Sequence, residues 1–182
     1  YNYDHLKDEM IGYNRYTNQK VHIESLFLQN EWKNKMWSFL IGARMDKHNM
    51  IDNVIFSPRA NVRFNPTEDI NIRASYSSGF RAPQAFDEDM HISAVGGEIA
   101  MIQRAKDLKE EKSQSLSTSV DFYHRFKNGI QTNFLIEGFY TSLSDVFVLE
   151  DIGKDEQGNI IKERRNGSGA KVMGLTLEGK SV

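Results

Sequence analysis

Ser57-Pro58-Arg59-Ala60-Asn61-Val62-Arg63-Phe64-Asn65 places Pro58, Ala60, Val62 and Phe64 on one parity and Ser57, Arg59, Asn61, Arg63 and Asn65 on the other. Successive side chains of an extended strand point to opposite faces, so this stretch predicts a strand with one apolar and one polar surface. The stretches on either side repeat the pattern. In Ile70 to Ser77, Ile70, Ile72, Ala74 and Tyr76 alternate with Asn71, Arg73, Ser75 and Ser77. In Lys35 to Asp46, Trp37, Phe39, Ile41 and Ala43 alternate with Ser38, Leu40, Gly42, Arg44 and Asp46.

Ser115 to Phe126 and Ile130 to Glu150 read as further strands, and Ile160 to Lys180 as a last long one with a bulge or kink at Asn166 to Gly169. Val21 to Trp32 is less regular: His22 and Glu24 fall on one parity and Gln29 and Glu31 on the other, which a bulge near Ser25 or Leu26 would reconcile. The expectation is an all-β, antiparallel, up-and-down meander of about seven strands. A short helix is possible only between Gly97 and Lys112, where Ile99, Ile102 and Leu108 have roughly helical spacing; that segment is otherwise irregular.

The connections alternate in length. Lys33 to Lys35, Pro66 to Asp69 and Lys127 to Gly129 are short; Lys47 to Asn53, Ser78 to about Lys112 and Asp151 to Asn159 are longer and fall at the opposite edge. Trp32, Trp37, Phe64 and Phe126 cluster near the short turns. Short turns at one end, long loops at the other and an aromatic rim describe a membrane-spanning barrel. In the competing reading, a soluble β-rich binding or adhesion module, the apolar faces pack on each other and the aromatics make cross-strand pairs.

Composition narrows the function classes. The 182 residues include 39% hydrophobic ones, too many for a disordered chain. The longest apolar runs, such as Trp37 to Ala43, are far short of the roughly 20 residues of a membrane helix. With 23 basic and 25 acidic residues intermixed, net −2, no field draws nucleic acid, and no nucleic-acid partner is expected. There is no cysteine. No phosphate loop, dinucleotide turn or nucleophile elbow occurs, so an enzyme is not expected. The sequence opens at Tyr1 with neither an initiator Met nor a signal-like stretch and reaches Val182 in mid-strand, so an internal fragment is expected, residues 1–182 forming one partial barrel domain.

Several stretches resemble the barrel of TonB-dependent outer-membrane receptors: Leu28 to Trp32, Ile41 to Asp46, Phe56 to Arg59 and Ile72 to Tyr76. Gly79-Phe80-Arg81-Ala82-Pro83 resembles the family's Phe-Arg-Ala-Pro box, the most specific match. Leu108 to Ser113, Asn166 to Ala170 and Gly174 to Glu178 follow in family order, with Thr176 where Glu is usual. The resemblance implies part of a 22-stranded transmembrane barrel closed by an N-terminal plug, located in the bacterial outer membrane and importing a scarce nutrient, such as an iron complex (ferric siderophore or haem) or cobalamin, with TonB supplying energy. Its implied partners are the TonB complex, the plug domain, the lipid bilayer and a small-molecule nutrient; no cofactor is implied. Short turns would be periplasmic and long loops extracellular. The plug and the remaining strands are expected to be absent from this fragment, which alone should transport nothing.

The polar faces carry Arg44, Arg59, Arg63, Arg73, Asp121 and Glu137, which in a barrel would face the lumen and pair within the wall and with the plug rather than touch substrate. Arg81, in the Phe-Arg-Ala-Pro box, is expected to fix the long loop to the wall by bidentate hydrogen bonds. Within that loop Asp87, Glu88, Asp89 and His91 are where a ligand would first be met. The carboxylates form a plain acidic loop or hold a hard cation. Haem-receptor members place an iron-ligating histidine between the Phe-Arg-Ala-Pro box and an Asn-Pro-x-Leu box, which makes His91 the haem-ligand candidate; here the second box reads Ala105-Lys106-Asp107-Leu108 and departs from that pattern. His5, His22, His48 and His124 lack metal-ligand spacing, read as surface or wall residues, and no metal site is assigned.

Overall fold

The alternating stretches form strands in the computed structural model, which describes residues 1–10, 15–84, 93–95, 98–156 and 158–182. The strands are β1 (Asn2–Met10), β2 (Arg15–Lys33), β3 (Trp37–His48), β4 (Ile55–Thr67), β5 (Ile70–Arg81), β6 (Ser93–Val95), β7 (Glu98–Arg104), β8 (Glu111–Arg125), β9 (Gln131–Ser144), β10 (Phe147–Lys154), β11 (Ile160–Asn166) and β12 (Ala170–Ser181). Eight of them make an antiparallel meander in the order β1-β2-β3-β4-β5-β8-β9-β12, and the other four a second sheet in the order β10-β11-β7-β6. The fold is thus all-β, as the alternation predicts. The strands read from periodicity become β2, β3, β4, β5, β8, β9 and β12; β1 is an eighth that periodicity could not show, because charged residues occupy both of its parities.

Turn chemistry closes the short connections. The Asn34 side-chain oxygen accepts the Met36 and Trp37 amides at 2.9 and 2.8 Å, and Gly129 supplies a positive φ of 93° between β8 and β9. Register then assigns the faces. Trp37, Phe39, Ile41 and Ala43 lie opposite Phe64, Val62, Ala60 and Pro58. Tyr76, Ala74, Ile72 and Ile70 lie opposite Leu116, Thr118, Val120 and Phe122, which lie opposite Tyr140, Gly138, Ile136 and Phe134. This outward face exposes large apolar groups, including Leu28 at 79% and Leu175 at 70%. Among the described residues no second layer covers them, whereas a soluble sandwich would bury such a surface. From the Trp37–Phe64 row to the Met45–Phe56 row the band spans 37–45, roughly 22 Å along a tilted barrel axis, close to the apolar height of outer-membrane barrels.

Four sequence expectations change. No bulge interrupts β2, whose register with β3 is continuous from Ile23 to Lys33. Its mixed polarity arises because Glu24 lies opposite Lys47, beyond the last outward apolar row, so the same parity turns polar once the band ends. The stretch 130–150 breaks at Asp145, whose φ of 54° ends β9 before β10 starts in the other sheet. The stretch 160–180 likewise divides at 167–169 into β11 and β12. Finally, 98–104 is strand β7, not a helix, because Ala100 to Arg104 pairs in parallel with Ile160 to Arg164.

The outward face generates a stability prediction. Ile41→Arg, in mid-band, should destabilise the intact receptor refolded into lipid vesicles by about 2–4 kcal/mol. Asn61→Arg, one residue out of phase on the neighbouring strand, should stay within roughly 0.5 kcal/mol. Urea titration in vesicles measures both, and equal effects would overturn the face assignment.

Candidate functional site: the concave polar face and the loop base

The opposite parity forms a continuous polar surface. Ser38 faces Arg63, Arg63 faces Arg73, Arg73 faces Ser119 and Ser119 faces Glu137 across five strands. The surface is concave: Glu31, Ser38, Arg63, Arg73, Ser117 and Glu137 line one hollow of about 390 Å³. Two arginines placed directly opposite repel. Arg73 resolves this by turning to Asp121, which is buried and accepts from its guanidinium. Around the pair, Ser75 and Ser117 share a hydrogen bond of 2.6 Å, Ser115 and Thr141 one of 2.9 Å, and the Ser38 hydroxyl donates to Glu31 at 2.7 Å. Nearer the loops, Asp46 is fully buried and accepts from the Ser25 hydroxyl at 2.5 Å and from Arg44 Nε at 2.7 Å.

All six sequence-predicted wall residues therefore share one face. Arg63, Arg73 and Glu137 line the hollow with Asp121 beside it, and Arg59 and Arg44 lie further toward the loops. Among the described residues Arg59, Arg63 and Glu137 make no side-chain hydrogen bond or ion pair. The hollow thus offers unpartnered donors and an acceptor.

At the end of β5 several contacts anchor the Phe-Arg-Ala-Pro segment. Ala82 packs with Ile51 and Ile55, and Phe80 lies against them. The Arg81 guanidinium sits 5.4 Å from the centre of the Phe147 ring. Glu111, opposite Arg81 in register, accepts the Phe147 amide at 2.9 Å. The start of β10 is thereby fastened to β5 and β8. Arg104 donates to the Pro83 carbonyl at 3.0 Å, tying β7 to the same segment.

Asn166 is the fastening that residue patterns alone did not rank. Its side chain pairs with both backbone groups of Lys109, accepting the amide at 2.8 Å and donating to the carbonyl at 3.0 Å, and donates to the Asp145 carbonyl at 2.8 Å. One amide thus joins three segments whose backbone groups are outside the ladders. The glycines that follow allow the close approach: a Cβ on Gly169 would stand 2.6 Å from the Leu143 carbonyl oxygen.

His48, expected on the surface or wall, is fully buried at the end of β3. Its Nδ1 accepts the Met50 amide at 3.0 Å, which leaves the proton on Nε2, facing the Gln84 side-chain oxygen at 3.3 Å. Asp87, Glu88, Asp89 and His91 lie outside the described residues. Among the described residues no group of three or more His, Cys, Asp or Glu could hold a metal.

The family described as TonB dependent receptor-like, β-barrel matches residues 1–181. No curated protein matches. Among solved structures, the siderophore receptor PirA from Pseudomonas aeruginosa is similar, with a TM-score of 0.74 at 19% identity over 91% of this chain and 32% of that one. PirA from Acinetobacter baumannii gives 0.65 at 16% identity over 91% and 26%. A double mutant of the Serratia marcescens hemophore receptor HasR, in complex with its hemophore HasA and heme, gives 0.69 at 13% identity over 91% and 32%. The chain spans about a third of the length of the PirA structure from Pseudomonas.

Two predictions follow from the loop base. Asn166→Ala strands the backbone groups of Lys109 and the Asp145 carbonyl and should cost about 1–3 kcal/mol locally, seen as faster protease cleavage in 145–169 with the main sheet intact. Burial holds His48 below its ordinary value of 6.5, against the raising effects of Gln84 and Asp46. The unfolded chain therefore takes up the proton first, so the His48 contribution is complete above pH 6.5 and declines as pH falls below it. The protection factor of the Met50 amide, its rate relative to an unstructured amide at the same pH, should fall below pH 6.5, and a protection factor independent of pH would contradict the buried neutral imidazole.

Proposed function

The chain belongs to the family of TonB-dependent receptor β-barrels, and from that premise we propose that it forms part of the wall of a bacterial outer-membrane receptor that imports an iron complex, a ferric siderophore or haem. The family is one of receptors and transporters rather than of enzymes. The observation that carries the reading is a single curved sheet with an uncovered apolar band outside and unpartnered polar groups in the hollow inside. The siderophore receptors and the hemophore receptor among the structures similar to it support an iron complex as cargo.

In this reading the short turns face the periplasm, the second sheet stands at the extracellular mouth, and TonB acts on a plug contributed by the rest of the receptor. Arg59, Arg63 and Glu137 supply hydrogen bonds to the plug, and the internally paired Arg44–Asp46 and Arg73–Asp121 stiffen the wall. Arg81 positions the base of the capture loop, and Asp87, Glu88, Asp89 and His91 belong to the ligand-meeting segment. A soluble adhesion module is disfavoured because no described residue covers the apolar face.

Uptake by cells carrying the intact receptor tests the proposal. Deleting the gene should abolish growth on one iron source, ferric siderophore or haem, and complementation should restore it; growth unchanged on both would reject iron-complex import. Within a haem-dependent outcome, His91→Ala should abolish haem-supported growth if its imidazole ligates the iron, and full retention would remove that role.

A further inference from the structure

Three consecutive side chains at the end of β3 send their hydrogen bonds in three directions. Lys47 Nζ donates to the carbonyls of Ile51 and Asp52 at 3.2 and 2.6 Å, closing the 49–54 turn on itself. His48 holds the Met50 amide at Nδ1 and reaches Gln84, just past the Phe-Arg-Ala-Pro segment, at Nε2. Asn49 grips β2: its backbone amide donates to the His22 carbonyl at 3.2 Å, its side-chain oxygen accepts the His22 amide at 3.1 Å, and its side-chain nitrogen donates to the Lys20 carbonyl at 2.8 Å. The β3 ladder stops at His48, opposite Ile23, so residues 15–22 of β2 have only β1 as a ladder partner. Asn49 carries the ladder further with a side chain in place of backbone, and it joins the projecting β1–β2 hairpin to the wall along that edge.

The middle residue is the one that can change state. A neutral imidazole accepts at one nitrogen and donates at the other, and His48 uses both. A proton added at Nδ1 sets one N–H against the Met50 N–H and leaves a charge in a fully buried place. The surrounding charges are already committed. On β3, Asp46 attracts the proton, but its Oδ1 is held by Ser25 and Arg44, and Lys47 is taken by the two carbonyls. On β2, His22 opposes a second positive charge, and Glu24 lies opposite Lys47 on the outward parity. The one charged residue of the 49–54 turn, Asp52, is exposed, and that of 80–84, Arg81, lies against Phe147. Burial outweighs the pull of Asp46 and keeps the imidazole neutral.

We propose that Lys47, His48 and Asn49 form a proton-sensitive latch that couples the projecting β1–β2 hairpin to the Phe-Arg-Ala-Pro segment, closed while His48 is neutral and released when it is protonated. Losing the Met50 amide frees the 49–54 turn, and with it the grip of Asn49 on β2. Losing the imidazole frees Gln84 at the other end. The apolar joint of Ile51 and Ile55 with Ala82 lies between these two ends, so the turn and the segment move as one body. On the outer-membrane reading above, on which this consequence rests, both latched segments stand outside the cell and meet the pH of the surroundings.

Hydrogen exchange of the intact receptor in lipid vesicles, read by mass spectrometry as protection factors, follows 15–22, 49–54 and 80–84 together. Coupling between two places is reciprocal. Gln84→Ala should therefore lower protection at 15–22 by roughly threefold to tenfold, the loss of one hydrogen bond, and Asn49→Ala should do the same at 80–84. In the wild type, protection of all three segments should fall with one midpoint below pH 6.5, by at most about tenfold per pH unit for a single proton. His48→Gln, which does not titrate, should abolish that fall. An effect of Gln84→Ala confined to 49–54 and 80–84 would overturn the coupling, and a pH response that persists in His48→Gln would overturn the part of the proton. If His48→Gln does not fold, separate midpoints for the three wild-type segments overturn it as well. None of these readouts needs cargo, so a receptor that imports no iron complex leaves the latch standing, and a failed latch leaves iron import standing.

Discussion

One constraint organises the molecule: the strands of the main sheet pair in continuous register, with one shift between Phe64 and Thr67 at the turn end of β4, so across the apolar band residues two apart meet a single environment over its whole breadth. Ile41, Ala60, Tyr76, Leu116, Tyr140 and Met173 are consecutive partners across six strands, and none of them is polar along its body. A slip of one residue in any pair would bring the arginines of one face among the apolar side chains of the other. Exposed apolar surface disfavours the state that shows it to water by about 25 cal/mol per Å². A band as broad as this one is therefore stable only where hydrocarbon or another apolar surface meets it. The ladder and the surrounding phase thus specify each other.

The inner face is where charge is tolerated, and its arrangement shows how a wall uses it. Arg63 opposite Arg73 is an unfavourable register pair taken alone. The pair persists because Arg73 reaches Asp121 one row along, whose burial makes it costly to leave unmatched. Asp46 plays the same part for Arg44 near the loops. Two of the four wall arginines are thereby structural, and the other two, Arg59 and Arg63, keep their donors available. That division of labour is invisible in composition, where all four look alike.

The wall was legible in the sequence for a physical reason: a two-phase environment imposes period-2 alternation, and β3, β4, β5 and β8 carry it cleanly. What escaped was structure outside the band. In β1 both faces meet water, so Asn2 to Met10 has no alternation to read. His48 and Asp46 look like ordinary polar residues of a strand end, and the partners that meet them in their buried places, Gln84 for His48 and Ser25 for Asp46, are distant in sequence. The Asn166 stretch stood out as a break, yet its role needed partners at Lys109 and Asp145, distant in sequence. Arg81 can be placed, and the ring beneath its guanidinium belongs to Phe147, a pairing distant in sequence that no local pattern shows.

The second sheet shows why those missed residues matter. β10 and β11 leave the main sheet at Asp145 and rejoin it at Ala170, and β11 then pairs in parallel with β7, a segment some sixty positions earlier. Such non-local pairing closes large loops, and its entropy must be offset by interactions at the points where the segments leave the wall. Arg81 on Phe147, Glu111 on the Phe147 amide, Arg104 on Pro83 and Asn166 on Lys109 and Asp145 all sit at those points. The fastenings thus lie at the base of the second sheet, where its strands leave the wall.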